Sequence, residues 1–384
     1  MGRILIVSND MEIGGIQKSL IDFLKYLSGS KRYEIDLLMW QNDGVLRDQL
    51  PSKIKLLENH YPKTWREVLS EKIFTKKMKF FSQFVKFYFY NKLVGKPWLY
   101  YSKLKQKYDV VIAYSQNGYP RFFAIDNVSA KNKFLWYHHG SYNSTDRMWK
   151  LDKKYFGKFD KIVTVSEANK EMLFHHFPQF KNKLFVVPNI IDAEEIIEKA
   201  NEKVEDFISE DGIVNFVTVS RFSKEKGIDL AVSTALELKR RGLKFRWYFI
   251  GDGETLPDIK KFVEDNNLTG DCRLLGSKKN PYPYMKLADL YIQTSFVESQ
   301  SITLYEALIL NKFVIATNLP ALREALQNEK LGVLCEPNSS DFAQKIEWVL
   351  QNHTLLKQGN NQNEKYQINN ERSYRAIEEL LSAQ

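Results

Sequence analysis

Short apolar runs recur along almost the whole chain, separated by helix-like stretches. RILIVS (3–8), EIDLLMW (34–40), DVVIAYS (109–115), KFLWYHH (133–139), KIVTVS (161–166) and KLFVVPN (183–189) read as strands. Several lack polar alternation, as parallel strands covered on both faces do. The rhythm restarts after Asn189, with strands at 213–220, 244–250, 271–275, 289–294, 312–317 and 331–335. Helical stretches fall at 15–28, 118–127, 145–157 and 167–177 in the first half. In the second they fall at 226–241, 255–265, 303–311, 320–327 and 339–351. Repeated strand–helix units imply right-handed crossovers and an open parallel sheet, here twice over. The fold class is α/β, with two Rossmann-like domains at 1–190 and 191–365. The acidic stretch 194–210 reads as the separator. The polar run 359–372 reads as a second crossing, so that a final helix at 373–383, within a segment 366–384, returns to the first domain.

Composition supports this division. A chain of 384 residues exceeds what one core usually serves, and 43% hydrophobic with 27% charged residues suits a globular protein. No window approaches the uninterrupted apolar length of a membrane-spanning helix. The start, MGRILIVSND, enters a strand directly without a signal-peptide pattern, and Ile6 stands where myristoylation prefers Ser or Thr. Cys272 and Cys335 are far apart and lack metal-ligand spacing, so the cytoplasm is the expected compartment. The formal charge of +9 suits an anionic partner: nucleic acid, an anionic membrane or a phosphorylated substrate.

Open parallel sheets bind ligands beyond the carboxyl ends of their strands. After DLYIQTS the chain reads FVESQSITLYEALI, placing Glu298 in a loop and Glu306 in the following helix. Between them the amides of Ser301, Ile302 and Thr303 open a helix N-terminus, an anion site by dipole and by free N–H groups. The competing reading of Glu306 is a capping box with Thr303. In VTVSRFSKEKGIDLAV (217–232), Arg221, Lys224 and Lys226 crowd another helix start, where cations oppose the macrodipole unless an anion binds. An ordinary solvated basic loop is the alternative. Gly14 and Gly15 follow the first strand, where paired glycines allow close approach to a phosphate or sugar, or simply form a turn. His138 and His139 end another strand, so one of the two faces the ligand side, or the one that does is structural. No Asp-x-Asp, HExxH or P-loop motif occurs, so metal independence is expected, with cations and a helix dipole in the metal's place.

These residues resemble the retaining glycosyltransferases of family four, which have the GT-B fold of two Rossmann-like domains facing each other across a cleft. The E-x7-E element matches Glu298 and Glu306, and R-x4-K matches Arg221 and Lys226. The first-loop glycines match Gly14 and Gly15, and GDGE (251–254), beginning at Gly251, resembles a strand-end G-x-G. The resemblance implies that Glu306 binds ribose hydroxyls and Glu298 the donor sugar. Arg221 and Lys226 then neutralise the leaving diphosphate, helped by the amides after Gln300, and His138, or His139 in the other register, lies beside the transferred sugar. It further implies front-face retention without a protein nucleophile. One departure stands out: the family's E-G-F-G is Glu298-Ser299-Gln300-Ser301, whose added side chains narrow the sugar pocket.

The expected activity is transfer from a nucleoside-diphosphate sugar, UDP-sugar ahead of GDP-sugar, to a lipid-linked saccharide in bacterial surface-polysaccharide assembly. No cofactor, metal or nucleic acid takes part. The rivals are an epimerase or phosphorylase on the same fold and a non-catalytic basic binding protein. The stretch 72–107 holds ten lysines, eleven aromatics and no acidic residue. A helix there puts Phe80, Phe84, Phe87 and Tyr88 on one face, with Phe81, Val85 and Phe89 widening it. Two readings fit: a peripheral anchor on the anionic inner face of the cell membrane, or core of the first domain with snorkelling lysines.

Overall fold

Ile4, Leu5, Ile6 and Val7 are wholly buried, and they form the middle of the first of two parallel sheets. The computed structural model describes every residue except 1, 13, 41–43, 59–61, 63, 330, 353–361 and 383–384, and for 362–369 the backbone alone. The first sheet comprises β1 (Gly2–Val7), β2 (Tyr33–Met39), β3 (Lys55–Glu58), β4 (Lys107–Ala113), β5 (Ser129–Tyr137), β6 (Lys161–Thr164) and β7 (Leu184–Val186), in the order β3-β2-β1-β4-β5-β6-β7. The second comprises β8 (Val214–Val219), β9 (Phe245–Ile250), β10 (Cys272–Leu274), β11 (Leu290–Gln293), β12 (Phe313–Thr317) and β13 (Gly332–Cys335), ordered β10-β9-β8-β11-β12-β13. Every strand pair is parallel. Each sheet therefore reverses its winding once, between β1 and β4 and between β8 and β11, and such a switch point opens a crevice at the strand ends.

The chain forms two units. One holds Met1–Val165, Leu173–Val187 and Ala376–Gln384, and the other Ser166–Met172 and Pro188–Arg375. Unit 2 packs one apolar layer on each face of its sheet. Met285, Leu304, Ala307 and Leu322 lie in one layer, and Phe342, Ala343, Ile346 and Leu238 in the other.

Five elements differ from the sequence pattern. β3 was not anticipated, because a four-residue strand reading KLLE has too little apolar signal. Trp65–Ser70, after Thr64 in a capping box with Glu67, and Tyr282–Leu287 are short helices missed for the same reason. The acidic separator contains the helix Ala193–Lys199. Asp192 caps it by accepting from the Glu195 amide at 3.0 Å, Glu194 and Glu195 suit the positive end of its dipole, and Ile196 is buried in unit 2. The C-terminal helix spans Gln362–Ser382, so much of the polar run taken as a crossing is helical. Asn370, a residue that reads as loop, bonds the backbone of Ile191 on both sides, at 3.2 and 2.9 Å.

The basic aromatic stretch forms the helix Phe74–Tyr88, which has no buried residue. Phe84 packs on Trp65 with ring centres 5.2 Å apart, and Phe87 on Tyr100 at 5.7 Å. The face carrying 80, 84 and 87 is thus turned to the protein, while Phe74, Met78, Phe81, Val85 and Tyr88 are exposed. Trp98, by contrast, is core: it stacks on Phe122 at 4.1 Å and donates to Asp126 at 2.9 Å. Among the described residues no helix is long and apolar enough to cross a membrane.

Candidate active site

The loops after β8, β9 and β11 meet at the switch point of the second sheet, and glycines let them meet. Gly227 has φ 60°, and a Cβ there would lie 2.1 Å from the Thr294 carbonyl oxygen. A Cβ on Gly251 (φ 144°) would lie 1.8 Å from the Ser220 oxygen, and one on Gly253 2.3 Å from the Phe222 oxygen. Only glycine tolerates such backbone and such approach. Hydrogen bonds fasten the same contacts. Thr294 Oγ1 donates to Gly227 O at 2.8 Å, Phe296 N to Glu225 O at 2.8 Å, and Phe222 N to Asp252 O at 2.8 Å.

On this platform the expected charged residues come together. Lys226 Nζ lies 2.6 Å from Glu298 Oε1. The same oxygen accepts from Gln293 Nε2 at 2.8 Å and Ser295 Oγ at 2.7 Å, while Oε2 takes no bond from any described residue. The Glu298 side chain is 7% exposed and Lys226 23%. The pair is therefore partly desolvated, where charge-assisted bonds count for more than on the surface. Arg221 is exposed at the end of the β8 loop, and its guanidinium has no ion-pair partner among the described residues.

Glu306 sits at the other side of the same loop–helix element. It is 3% exposed and accepts from Tyr282 OH at 3.2 Å. Ser301, not Thr303, caps the helix Ile302–Ile309, accepting from Leu304 N, so Glu306 lies too deep in the helix to close a capping box. The amides of Ser301, Ile302 and Thr303 find no acceptor among the described residues. In the altered E-G-F-G segment Ser301 works through its side chain and Ser299 through its backbone carbonyl. Ser301 Oγ also donates to Gln293 Oε1 at 2.9 Å, and Ser299 O accepts from Ser166 Oγ at 2.6 Å. Gln300 Oε1 accepts from Asn189 N at 2.7 Å.

In unit 1, Gly14 ends the loop after β1 with extended backbone, and Gly15 begins the helix Gly15–Gly29. His138 follows β5, stacks against Tyr114 with centres 4.7 Å apart, and receives its backbone order from Gln116 Oε1, which accepts its N–H at 3.1 Å. Burial pulls its pKa down to about 3, so the imidazole is neutral at physiological pH. His139 is half-buried and tied through Nδ1 to Ser141 at 3.0 Å.

Sequence reasoning missed Gln293, Ser295 and Tyr282, which orient the two carboxylates. Gln293 and Ser295 are polar residues closing an apolar strand, and that mismatch was the available signal.

Two family models cover most of the chain. Residues 13–195 match Glycosyltransferase Family 4 and residues 198–367 match Glycosyl transferases group 1. Curated relatives include an uncharacterized glycosyltransferase of Methanocaldococcus jannaschii, 29% identical over 50% of this chain and 52% of the relative. Another is the Campylobacter jejuni N-acetylgalactosamine-N,N'-diacetylbacillosaminyl-diphospho-undecaprenol 4-alpha-N-acetylgalactosaminyltransferase, 28% identical over 53% of this chain and 54% of the relative. The Staphylococcus aureus poly(ribitol-phosphate) alpha-N-acetylglucosaminyltransferase is 24% identical over 65% and 50%. The chain thus spans about half the length of these curated relatives. Among solved structures, a Rickettsia africae glycosyltransferase superposes over 100% of this chain and 98% of its own, with TM-score 0.72 and 19% identity. Anabaena HepE with UDP-glucose superposes over 100% of both chains, with TM-score 0.72 and 15% identity. Two Rossmann-like units, their parallel sheets and both family matches agree: the chain belongs to the GT-B glycosyltransferases of the family-four kind.

Proposed function

We propose that the protein transfers a sugar from a nucleoside diphosphate, UDP ahead of GDP, to a hydroxyl of a lipid-linked saccharide, with retention and without a metal ion. The observation that carries this reading is the pairing of Lys226 with Glu298, linked through Gln293 to the helix cap Ser301 at one switch point, with Arg221 exposed on the loop after β8 and Glu306 buried in the helix. The Campylobacter relative's name states a diphospho-undecaprenol acceptor, and HepE was solved with UDP-glucose. Both support a lipid-linked acceptor and a uridine donor here.

In the proposed step the bond from sugar C1 to the diphosphate oxygen breaks, and its electron pair leaves with the diphosphate. The acceptor hydroxyl forms the new C1–O bond from the same face and gives its proton to a departing phosphate oxygen. Arg221, Lys226 and the amides of Ser301, Ile302 and Thr303 face the charge that grows on the diphosphate, where fixed donors help most. Glu298, held through Oε1, offers Oε2 to sugar hydroxyls, and Glu306 takes the ribose hydroxyls. Gly14, Gly15 and His138 stand at the strand ends of unit 1, where the family pattern puts sugar contacts.

The test is a mass-spectrometric screen of nucleotide sugars for slow hydrolysis by metal-stripped protein. One donor is expected to yield free sugar and nucleoside diphosphate. An isomerised donor means an epimerase, a sugar phosphate formed with inorganic phosphate means a phosphorylase, and activity that returns only with magnesium or manganese overturns the metal-free scheme.

A further inference from the structure

The helix Phe74–Tyr88 carries two apolar stripes, and the fold uses only one. Its inner stripe contains Phe84 and Phe87, satisfied by Trp65 and Tyr100. Its outer stripe runs Phe74, Met78, Phe81, Val85 and Tyr88, steps of three and four residues that align on one face. Phe74 is 75% exposed and the others between 41% and 52%. The turn that follows extends the patch through Phe89, Leu93 and Val94, with Leu93 73% exposed. Scattered exposed apolar residues need no explanation, but a continuous stripe of this length on one element marks an interaction surface.

Charge says what covers it. At the helical repeat, Lys77 borders the stripe on one side and Lys79 lies beyond its other edge, while the Lys86 ammonium sits 5.3 Å over the Tyr100 ring. Lys92 and Lys96 follow, and 72–107 contains no acidic residue to oppose them. A second copy of this chain would bring like charges together, whereas an anionic bilayer accepts the aromatics among its acyl chains and the lysines among its phosphates. Trp65, 46% exposed and 6.2 Å from the Phe81 ring, is placed beside that layer. We propose that this outer stripe, not the 80–84–87 face, docks unit 1 on the anionic leaflet of a membrane. The docking rests on the glycosyl-transfer reading only for its purpose, since it can be measured without donor or acceptor.

Full-length protein is sedimented with vesicles of phosphatidylglycerol and phosphatidylcholine in equal parts, and with phosphatidylcholine alone. Capture is expected on the mixed vesicles at low salt and much less on the neutral ones. Lys77→Glu, Lys79→Glu and Lys92→Glu together should weaken partitioning about a hundredfold or more, at about 1 kcal/mol per lysine. A charge-matched control, Arg240→Glu with Lys260→Glu and Lys261→Glu on exposed helix positions of unit 2, should change it less than about twofold. Phe74→Ser with Phe81→Ser and Val85→Ser should abolish capture at unchanged thermal unfolding. In wild-type protein, brominated phosphatidylcholine mixed with phosphatidylglycerol should quench tryptophan emission, and Trp65→Phe should remove most of that quenching. Equal losses in both lysine triples would show that net charge alone binds. Retained capture by the serine variant, or conversion of a wild-type dimer to monomer by that variant with capture unchanged, would overturn the proposal.

Discussion

Both sheets reverse their winding once, yet the two switch points are furnished with opposite chemistry. At the end of the second sheet, Lys226, Arg221 and Glu298 gather around a helix start, and three donors converge on one carboxylate oxygen. At the end of the first, His138 is buried neutral and Arg121 is already matched to Asp152 at 2.9 Å, with Tyr142 also donating to Asp152 at 3.0 Å. Burial raises the Asp152 pKa while Arg121 pulls it back, so the pair neutralises itself. Topology supplies the crevice in both cases, and side chains decide its use. Each switch point holds an ion pair, but the second adds Arg221, which has no ion-pair partner among the described residues, and the helix-start amides, donors that suit a diphosphate. The first instead adds the carboxylates of Asp10 and Glu12 in the loop after β1, acceptors that suit hydroxyls.

The comparison can be broken by substitution, beginning with the largest effect. Lys226→Ala removes a cation from the diphosphate and strands a desolvated Glu298, so kcat/KM for donor turnover should fall by about a hundred- to a thousandfold, on the order of 3–4 kcal/mol. A change below about threefold would show that the unit 2 switch point does not carry the charge. Gly227→Ala should lower the unfolding free energy in urea by roughly 3 kcal/mol, from left-handed backbone plus the clash with Thr294. Gly14→Ala in unit 1 has extended backbone and meets only the flexible Gln17 side chain, so it should cost below about 1 kcal/mol. Equal costs would erase the contrast between the two strand ends.

Glu306→Gln keeps the shape but removes the charge that strengthens ribose contacts. It should reduce donor turnover by about ten- to a hundredfold, from roughly 1.5–3 kcal/mol for a hydrogen bond to a charged group. The remaining effect, on stability against pH, belongs to His138. Its folded pKa of about 3 lies below its ordinary 6.5, so its contribution is fully present above pH 6.5 and is lost as pH falls between those values. Titrating stability from pH 7 to pH 5 should cost about 2 kcal/mol through this residue, and His138→Asn should flatten that part of the slope. Parallel profiles for the two proteins would mean that the imidazole ionises in the fold.

The strands were legible because buried parallel strands must be apolar along their length. β1 and β9 have no polar alternation at all in their buried centres, whereas β3 is short and flanked by charge, and disappears into its surroundings. The Glu298–Glu306 spacing was legible as well, since it lies within one loop and helix. What orients those carboxylates was not: Tyr282 comes from another helix, and nothing in NPYPYM announces which oxygen its hydroxyl meets. Which side of Phe74–Tyr88 meets the protein was not legible, for a related reason. Periodicity put Phe80, Phe84, Phe87 and Tyr88 on one face, but Trp65 and Tyr100 receive Phe84 and Phe87 and leave Tyr88 exposed.

The C-terminal helix sets an order of events during synthesis. Ile377, Leu380 and Leu381 are buried and counted with unit 1, where Glu378 accepts from Tyr26 at 3.0 Å and pairs with Arg32. All of Pro188–Arg375 must be synthesised before those residues are made. Until then the nascent first unit waits with an apolar seam uncovered, a substrate for chaperones, while the second can close its own layers ahead of it.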